Sequence, residues 1–579
     1  MHRLLTTLAT IGRLAAPYFR SEDRWAGRVL LAAVIVIELS LVAINVLLNK
    51  WNNEFYNALQ DRDWDKFVYQ LWIFTALAAA FIGLAVYQLY LNQWLQIRWR
   101  RWMTDRYLHD WLTAANHYRM QLVGDSADNP DQRIAEDIRQ FVELTLSIGV
   151  GLLGACVTLV SFVVILWGLS AAAPLHLFGM TYDIPGYLVW AALIYAVVGT
   201  ILTHLIGWRL AELNFRQQRF EADFRFNLVR VRENSEQIAL SAGETAERER
   251  LNVRFGRVVD NWLAIMSRTK KLTFFTASYS QVSIIFPYVV VSPAYFSGAV
   301  QLGALMQTAS AFSSVQNSLS FFISAYRQLA EYQAVIDRLA GFEAAIAKSR
   351  ADAVTPPVIE VLARHGEPGI TVEGLAVRLP AGVPLVTAQE LSVRPGERVL
   401  LTGPSGDGKS TLFRALAGVW PFGTGTVRVP LGAKLMTLPQ RPYFPVATLA
   451  EAVTYPAESG SFDAEAMAQA LTTVGLGALV PRLDEEAHWN RLLSLGEQQR
   501  LAIARAILHA PDYLFLDEAT ASLDETSEAD LYRLLQETLT GTTIVSIGHR
   551  STLVPLHQRQ LQLVRDGDTF RLEEKPAAV

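Results

Sequence analysis

The chain has 579 residues, of which 51% are apolar and 18% charged, with a mean hydropathy of +0.21. That excludes a single ordinary domain and a wholly soluble protein, and it calls for two or three domains with several membrane spans. The net charge of −4 gives no basic field for nucleic acid, and the one cysteine, Cys156, leaves no intramolecular disulfide to form.

The N-terminal stretch MHRLLTTLATIGRLAAPYF places Leu4, Leu8, Ile11 and Leu14 on one face at helical spacing. Arg13 interrupts its apolar run, so the pattern predicts an amphipathic helix on the membrane surface rather than a cleaved signal. Six spans are predicted, at about 28–48, 69–97, 146–169, 187–207, 272–292 and 303–325. Each can cross roughly 30 Å of hydrocarbon. Arginines gather before the first span, after the second and after the fourth, while the connections after the third and fifth hold no Lys or Arg. The positive-inside rule then places both termini, and the domain after the last span, in the cytoplasm. Two charged excursions, about 98–145 and 208–271, predict helices that run well past the bilayer. Each has a break, at Asp125–Arg133 and at Leu240–Glu247, which is either a short helix that touches another domain or a solvated turn.

The spans carry polar stripes. Gln307, Ser310, Ser314 and Asn317 share a face of the sixth; Thr273, Thr276, Ser280 and Ser283 share one of the fifth; Gln88, Asn92 and Gln96 share one of the second. In a bilayer such faces must meet other helices or water, and the amides favour a wet cavity. Glu38, in the middle of the first span, is either a functional carboxylate or a protonated packing residue.

A linker at about 346–368 separates this membrane domain, residues 1–345, from an alternating strand and helix pattern over 369–579. There Gly403–Thr411 reads GPSGDGKST, between the strand-like ERVLLT and the helical LFRALAGVW. This is the strand, glycine-rich loop and helix in which backbone N–H groups cradle phosphates. Gly403, Pro404, Ser405, Gly406, Asp407, Gly408, Lys409, Ser410 and Thr411 are therefore candidate nucleotide-binding residues, with Lys409 on the β- and γ-phosphates and the Ser410 hydroxyl on Mg²⁺. Downstream come Gln440 in PQRPYF, LSLGEQQR at Leu493–Arg500, the apolar run YLFLDE ending in Asp517 and Glu518, and TTIVSIGHR ending in His549. A strand-end Asp517 beside the loop suits Mg²⁺, Glu518 suits a base for the attacking water, and His549 suits the γ-phosphate.

In this order the parts resemble an ABC transporter over essentially the whole chain. PQRPYF, LSLGEQQR, NPDQRIAED (Asn129–Asp137) and RENSEQIAL (Arg232–Leu240) are similar to the BacA-like and peroxisomal-type (ABCD) half-transporters. The resemblance implies a six-span exporter-type helical domain fused to one α/β phosphate-loop domain, working as a homodimer that binds ATP and Mg²⁺. It implies that Gln440 joins Ser410 and Asp517 around the metal, and that Lys409, Glu518 and His549 serve hydrolysis. Ser494, Gly496 and Glu497 would complete the ATP site of the second copy. Leu495 and Glu497 depart from the usual LSGGQ, and Ala376–Gly382, where an adenine-stacking aromatic is expected, has none. The implied activity is ATP-driven transport across the bacterial inner membrane. The cargo is a small molecule or peptide, with peptide, peptide-antibiotic or cobalamin-like import foremost. Fatty acyl-CoA transport and a proton-coupled carrier with a regulatory ATPase are the alternatives.

Overall fold

The structure is a computed structural model and describes residues 2–123, 129–172, 175–177, 180–182, 184–367, 369–404 and 406–575. Two units emerge from it. One comprises Met1–Leu108 and Asn129–Gly341; the other comprises His109–Asp128 and Phe342–Val579.

The first unit is helical. After the N-terminal helix α1 (His2–Ala15) come α2 (Arg24–Gln60) and α3 (Trp64–Leu112). The short helix α4 (Asn116–Val123) belongs to the second unit. The first unit resumes with α5 (Ile138–Ala172), α6 (Tyr187–Glu233), the short α7 (Ser235–Leu240), α8 (Glu244–Phe296) and α9 (Leu302–Leu319). The helix α10 (Phe321–Asp352) follows directly. Among the described residues, five helices are long and apolar enough to cross a membrane: those holding the first five expected spans. The sixth expected span is α9, whose many Ser, Gln and Asn side chains lower its hydropathy, and it breaks from α10 at Ser320. At 1.5 Å per residue, α3, α6 and α8 run about 70–80 Å, well past the hydrocarbon, as the charged excursions imply.

Polar contacts staple these helices. Tyr18 stacks on Trp99, and Arg98 Nε donates to Asp23 Oδ2 at 3.0 Å, tying the connection between α1 and α2 to α3. Burial beside the Asp23 carboxylate pushes the Tyr18 hydroxyl up to about 12, and Arg98 in turn holds Asp23 below its ordinary 3.8. On the expected apolar face of α1 Leu14 is buried and Leu8 is largely exposed, and mid-helix Thr7 Oγ1 donates to Gln333 Oε1 at 2.9 Å. Tyr195 of α6 and Tyr279 of α8 stack at 4.2 Å, each hydroxyl donating to the other residue's carbonyl. An amide ladder joins α2 to α9: Gln307 Nε2 donates to Asn49 Oδ1 at 3.1 Å, Asn53 Nδ2 donates to Gln307 Oε1 at 2.7 Å, and Gly303 N donates to Asn57 Oδ1 at 2.8 Å.

Of the two expected breaks, the first lies partly outside the described residues, at 125–128. From Asn129 the chain forms a turn of helix and then a π-helical turn, Arg133–Asp137. There buried Asp137 accepts from Arg133 at 2.7 Å and from Arg338 of α10 at 2.6 and 2.9 Å. This segment is an ion hub inside the first unit. The helix that joins the other domain is α4, just upstream. At the second break α7 is exposed along most of its length, with Leu240 at 81%.

The second unit is built on a ten-stranded sheet. In chain order its strands are β1 (Glu360–Arg364), β2 (Ile370–Arg378), β3 (Pro384–Val393), β4 (Arg398–Thr402), β5 (Gly423–Pro430), β6 (Leu435–Leu438), β7 (Tyr513–Asp517), β8 (Thr543–Ile547), β9 (Arg559–Asp566) and β10 (Thr569–Lys575). Their spatial order is β1-β5-β2-β3-β10-β9-β4-β8-β7-β6. Helix α11 (Lys409–Leu416) packs into one core cluster with Val399, Leu401, Phe515 and Val545. Tyr118 and Leu122 of α4 pack against that same cluster. A second cluster gathers helices α12 (Leu495–His509) and α13 (Glu525–Thr538) on Leu514, Leu516 and Ile544. The stretch expected as linker, 346–368, holds the end of α10, where Ile346 is buried, and the edge strand β1.

Candidate functional site

Four parallel strands converge on the site. β4, β8, β7 and β6 lie side by side, with Leu401 level with Ile547, Ile547 level with Asp517, and Leu516 level with Leu438. Their carboxyl ends open on one edge, where α/β sheets bind ligands. β4 delivers Gly403–Thr411, β8 delivers His549, β7 delivers Asp517 and Glu518, and β6 delivers Gln440.

In the loop, Gly408 has φ 93°, and a Cβ there would meet Val386 and Leu385 at 2.7 and 2.8 Å, so a side chain is excluded twice over. Helix α11 begins at Lys409, so its free N-terminal amides face the loop, a site suited to phosphate. Lys409 is buried, and its Nζ donates to Gly403 O at 3.0 Å, Pro404 O at 2.6 Å and Asp407 Oδ1 at 3.0 Å. The carboxylate of Asp407 is 1% exposed, lies against Gly403, and among the described residues leaves Oδ2 without a partner. An incoming phosphate therefore has to compete with Asp407 for Lys409. Pro404 has no N–H to offer an anion, and Asp407 has only its backbone N–H. Gly406 has φ 81° and Thr411 is buried on α11; Ser405 lies outside the described residues.

Ser410 Oγ donates to Asp517 Oδ1 at 2.8 Å. Burial raises Asp517 above its ordinary 3.8, against the Ser410 bond and the Arg414 charge, and Glu518 adds to the rise. A half-buried carboxylate bonded to a neutral hydroxyl is a hard-oxygen pair that fits Mg²⁺, whose charge would reverse that shift. Glu518 sits at φ 51°, a strained conformation for a residue with a side chain and one that gathers at functional sites. Both its oxygens are held: Gln440 Nε2 donates to Oε2 at 3.1 Å and His549 Nε2 donates to Oε1 at 3.0 Å. Ser410, Gln440, Asp517, Glu518 and His549 thus form one connected group around the loop.

Ser494, Gly496 and Glu497 stand apart from it. Ser494 caps α12, its N and Oγ donating to Glu497 Oε2 at 2.8 and 2.7 Å, and these bonds hold the Glu497 carboxyl below its ordinary 4.5. Gly496 lies beneath Leu523. Among the described residues no hydrogen bond joins these three to the loop, Asp517, Glu518 or His549. Their link to the site is Gln499 on the next turn, whose Nε2 donates to Gln440 O at 3.0 Å while its Oε1 accepts from Ser522 N at 3.1 Å. Gln499 falls within LSLGEQQR but carries no expected role there, and Arg414 lies in the helix after the loop, outside any motif. Arg414 acts electrostatically on both Asp517 and the Tyr118 hydroxyl of α4.

The first unit holds a second polar site. A cavity of about 440 Å³ opens among α2, α5 and α9, lined by Asn45, Asn49, Asn52, Thr158, Ser310, Ser314 and Asn317, with Phe162 and Phe321. Ser310, Ser314 and Asn317 line it as their stripe predicts, but Gln307 is spent in the amide ladder. The stripes of α3 and α8 do not reach it. Gln88 donates to Glu38, and Ser283 is buried, donating to Gln316 Oε1 at 3.0 Å. The wall missing from the sequence reading is α2. Asn45, Asn49 and Asn52 step by four and three there, a visible stripe that runs past the end expected for the first span.

A membrane-crossing helical unit joined to a phosphate-loop ATPase defines an ATP-driven membrane transporter. Residues 14–296 match the ABC transporter transmembrane region 2 and residues 386–521 the ABC transporter ATPase. The chain is 34% identical to the inner membrane ABC transporter ATP-binding protein YddA of Escherichia coli, over 93% of this chain and 94% of that one. It is 28% identical to the lysosomal cobalamin transporter ABCD4 of Mus musculus, over 97% of this chain and 95% of that one. A bacterial Atm1-family ABC exporter with ATP bound shares the fold, with a TM-score of 0.73 and 18% identity over 94% of each chain. The chain belongs to the ABC transporter family, with one transmembrane region fused to one ATPase domain and ABCD-type half-transporters among its relatives. It is an ATP hydrolase coupled to transport.

Proposed function

We propose that the chain imports a hydrophilic or amphipathic solute, such as a peptide, a peptide antibiotic or a cobalamin-like compound, across the bacterial inner membrane. The cavity carries this reading. Its polar lining is uncharged, and Asn45 and Asn317 are exposed within it. An amide turned to lipid would have no partner, so these side chains call for water, cargo or a second copy. One relative is named for the inner membrane and another for cobalamin, which agrees with the reading. Uptake of a labelled tripeptide into proteoliposomes, with ATP and a proton gradient varied separately, tests it. Accumulation that follows ATP is expected; accumulation that follows only the gradient would sink the reading.

The working unit in this proposal is a homodimer, with both termini and the ATPase domain cytoplasmic. In each site Lys409 and the loop amides hold the phosphates, while Ser410, Asp517 and Gln440 hold Mg²⁺. Glu518 takes the proton of the attacking water, and His549 bonds the γ-phosphate. Ser494, Gly496 and Glu497 complete the other copy's site, and exposed α7 offers Leu240 to that copy. Mixing Ser494→Arg with Lys409→Ala chains puts both lesions into one composite site and leaves the other intact. Recovery of ATPase activity in the mixture is expected, and full activity of Ser494→Arg alone overturns the shared site.

A further inference from the structure

Glu38 lies on the same face of α2 as Asn45 and Asn52, at intervals of seven residues. At 1.5 Å per residue it sits about 10 Å from Asn45 along the helix. On α5 the residue against it is Gly154, one helical turn before cavity-lining Thr158. A side chain at Gly154 would collide with Glu38 Oε1, so the glycine makes the space in which the carboxylate rests on α5. Gln88 of α3 donates to Oε2. Among the described residues Oε1 has no hydrogen-bond partner. Basic partners are excluded by the sequence of the surrounding spans: residues 29–49, 67–97 and 140–172 contain no Lys, Arg or His. The other carboxylate in those stretches, Glu143, is taken by Arg139 at 3.1 Å. The cavity lining itself carries no charge. A carboxylate at this depth is costly unless something supplies the opposite charge.

We propose that Glu38 is the charged end of the cargo site: it pairs with an ammonium or guanidinium group of the cargo, whose neutral polar body bonds to Asn45, Asn52, Ser310 and Ser314. The cargo class is then a cationic, amide- or hydroxyl-bearing solute. This rests on the cavity being the transport path.

The test uses the full chain in nanodiscs with Cys156→Ser and a single reporter, Ser310→Cys. Its modification is timed with a cationic trimethylammonium-ethyl thiosulfonate and with a neutral analogue of the same size. A carboxylate bordering the cavity should favour the cationic reagent by several-fold to about tenfold at an intermediate dielectric. Glu38→Gln should remove that preference and leave the neutral rate unchanged, while Glu38→Asp should keep most of it. In transport, a lysine tripeptide should have a KM about tenfold below that of its Nε-acetyl form, and Glu38→Gln should erase the gap. A reporter protein with Glu38 intact and no cationic preference means a protonated carboxyl and overturns the assignment, as does a preference that survives Glu38→Gln. No reaction of the reporter thiol with either reagent instead removes the water-filled cavity, and the solute reading falls with it.

Discussion

The molecule has two polar sites built on opposite plans. In the ATPase unit every reactive side chain is already held: Lys409 by Asp407 and two carbonyls, Asp517 by Ser410, and Glu518 by Gln440 and His549. In the membrane unit Asn45 and Asn317 stand exposed in their cavity and Glu38 Oε1 has no partner among the described residues. A catalytic group must be aimed before its substrate arrives, because the transition state tolerates little misplacement. A cavity whose occupant is polar must keep donors and acceptors free, because spent ones give no affinity. The same contrast appears within α9, where Gln307 is locked to α2 while Ser310 and Ser314 line the cavity, the Ser314 hydroxyl bonding back to the Ser310 carbonyl of its own helix.

The sharpest way to break this contrast is to disarm the preorganised site. Glu518→Gln should keep nucleotide binding and lower ATPase turnover by roughly 10²- to 10⁴-fold, the usual worth of a positioned base. Turnover within about threefold of wild type would remove Glu518 from that role. Next comes the open site. Ser310→Leu with Ser314→Leu should leave ATPase activity intact and reduce transport by about tenfold or more, since each cargo group left unpaired costs about 1–3 kcal/mol. Gln307→Leu should behave differently, lowering Tm through the broken ladder to Asn49 and Asn53. If all three substitutions act alike on transport and on Tm, the distinction between locked and open residues fails.

A smaller effect tests the inward-facing carboxylate. Asp407→Ser removes the group that holds Lys409 and leaves no buried, half-paired charge, so ATP should bind several-fold more tightly, by roughly 1 kcal/mol. Weaker binding in a titration with labelled nucleotide would show that Asp407 organises the loop rather than opposing phosphate. The smallest effect concerns the cap of α12. The folded value of Glu497 is depressed, so its contribution is complete above its ordinary 4.5 and is lost as pH falls through the folded value. Glu497→Gln should flatten that acid limb of the melting curve, and an unchanged limb would mean the cap carries no pH dependence.

Much of the ATPase site is legible in the chain because its parts are local. A glycine-rich loop, a strand-end Asp-Glu pair and a strand-end histidine each declare themselves within a few residues. Parallel strands then bring their carboxyl ends to one edge of the sheet. The spans are legible for a similar reason, since hydropathy is summed along a single helix. Periodicity shows that a helix has a polar face, and it is silent on what the face meets. It groups Gln307 with Ser310, yet Gln307 meets Asn49 from the far end of the unit and Ser310 does not. It cannot show that Ser283 is consumed by Gln316, or that Gly154 leaves room for Glu38. Nor can it show that Asp407, polar and in a loop, turns inward onto Lys409, or that α4 packs with the ATPase while α7 stays exposed. Composition, local motifs and helical period determined the parts of this transporter and their order. Which polar groups are spent on each other and which remain free was decided by contacts between residues far apart in the chain, where packing sets the distances.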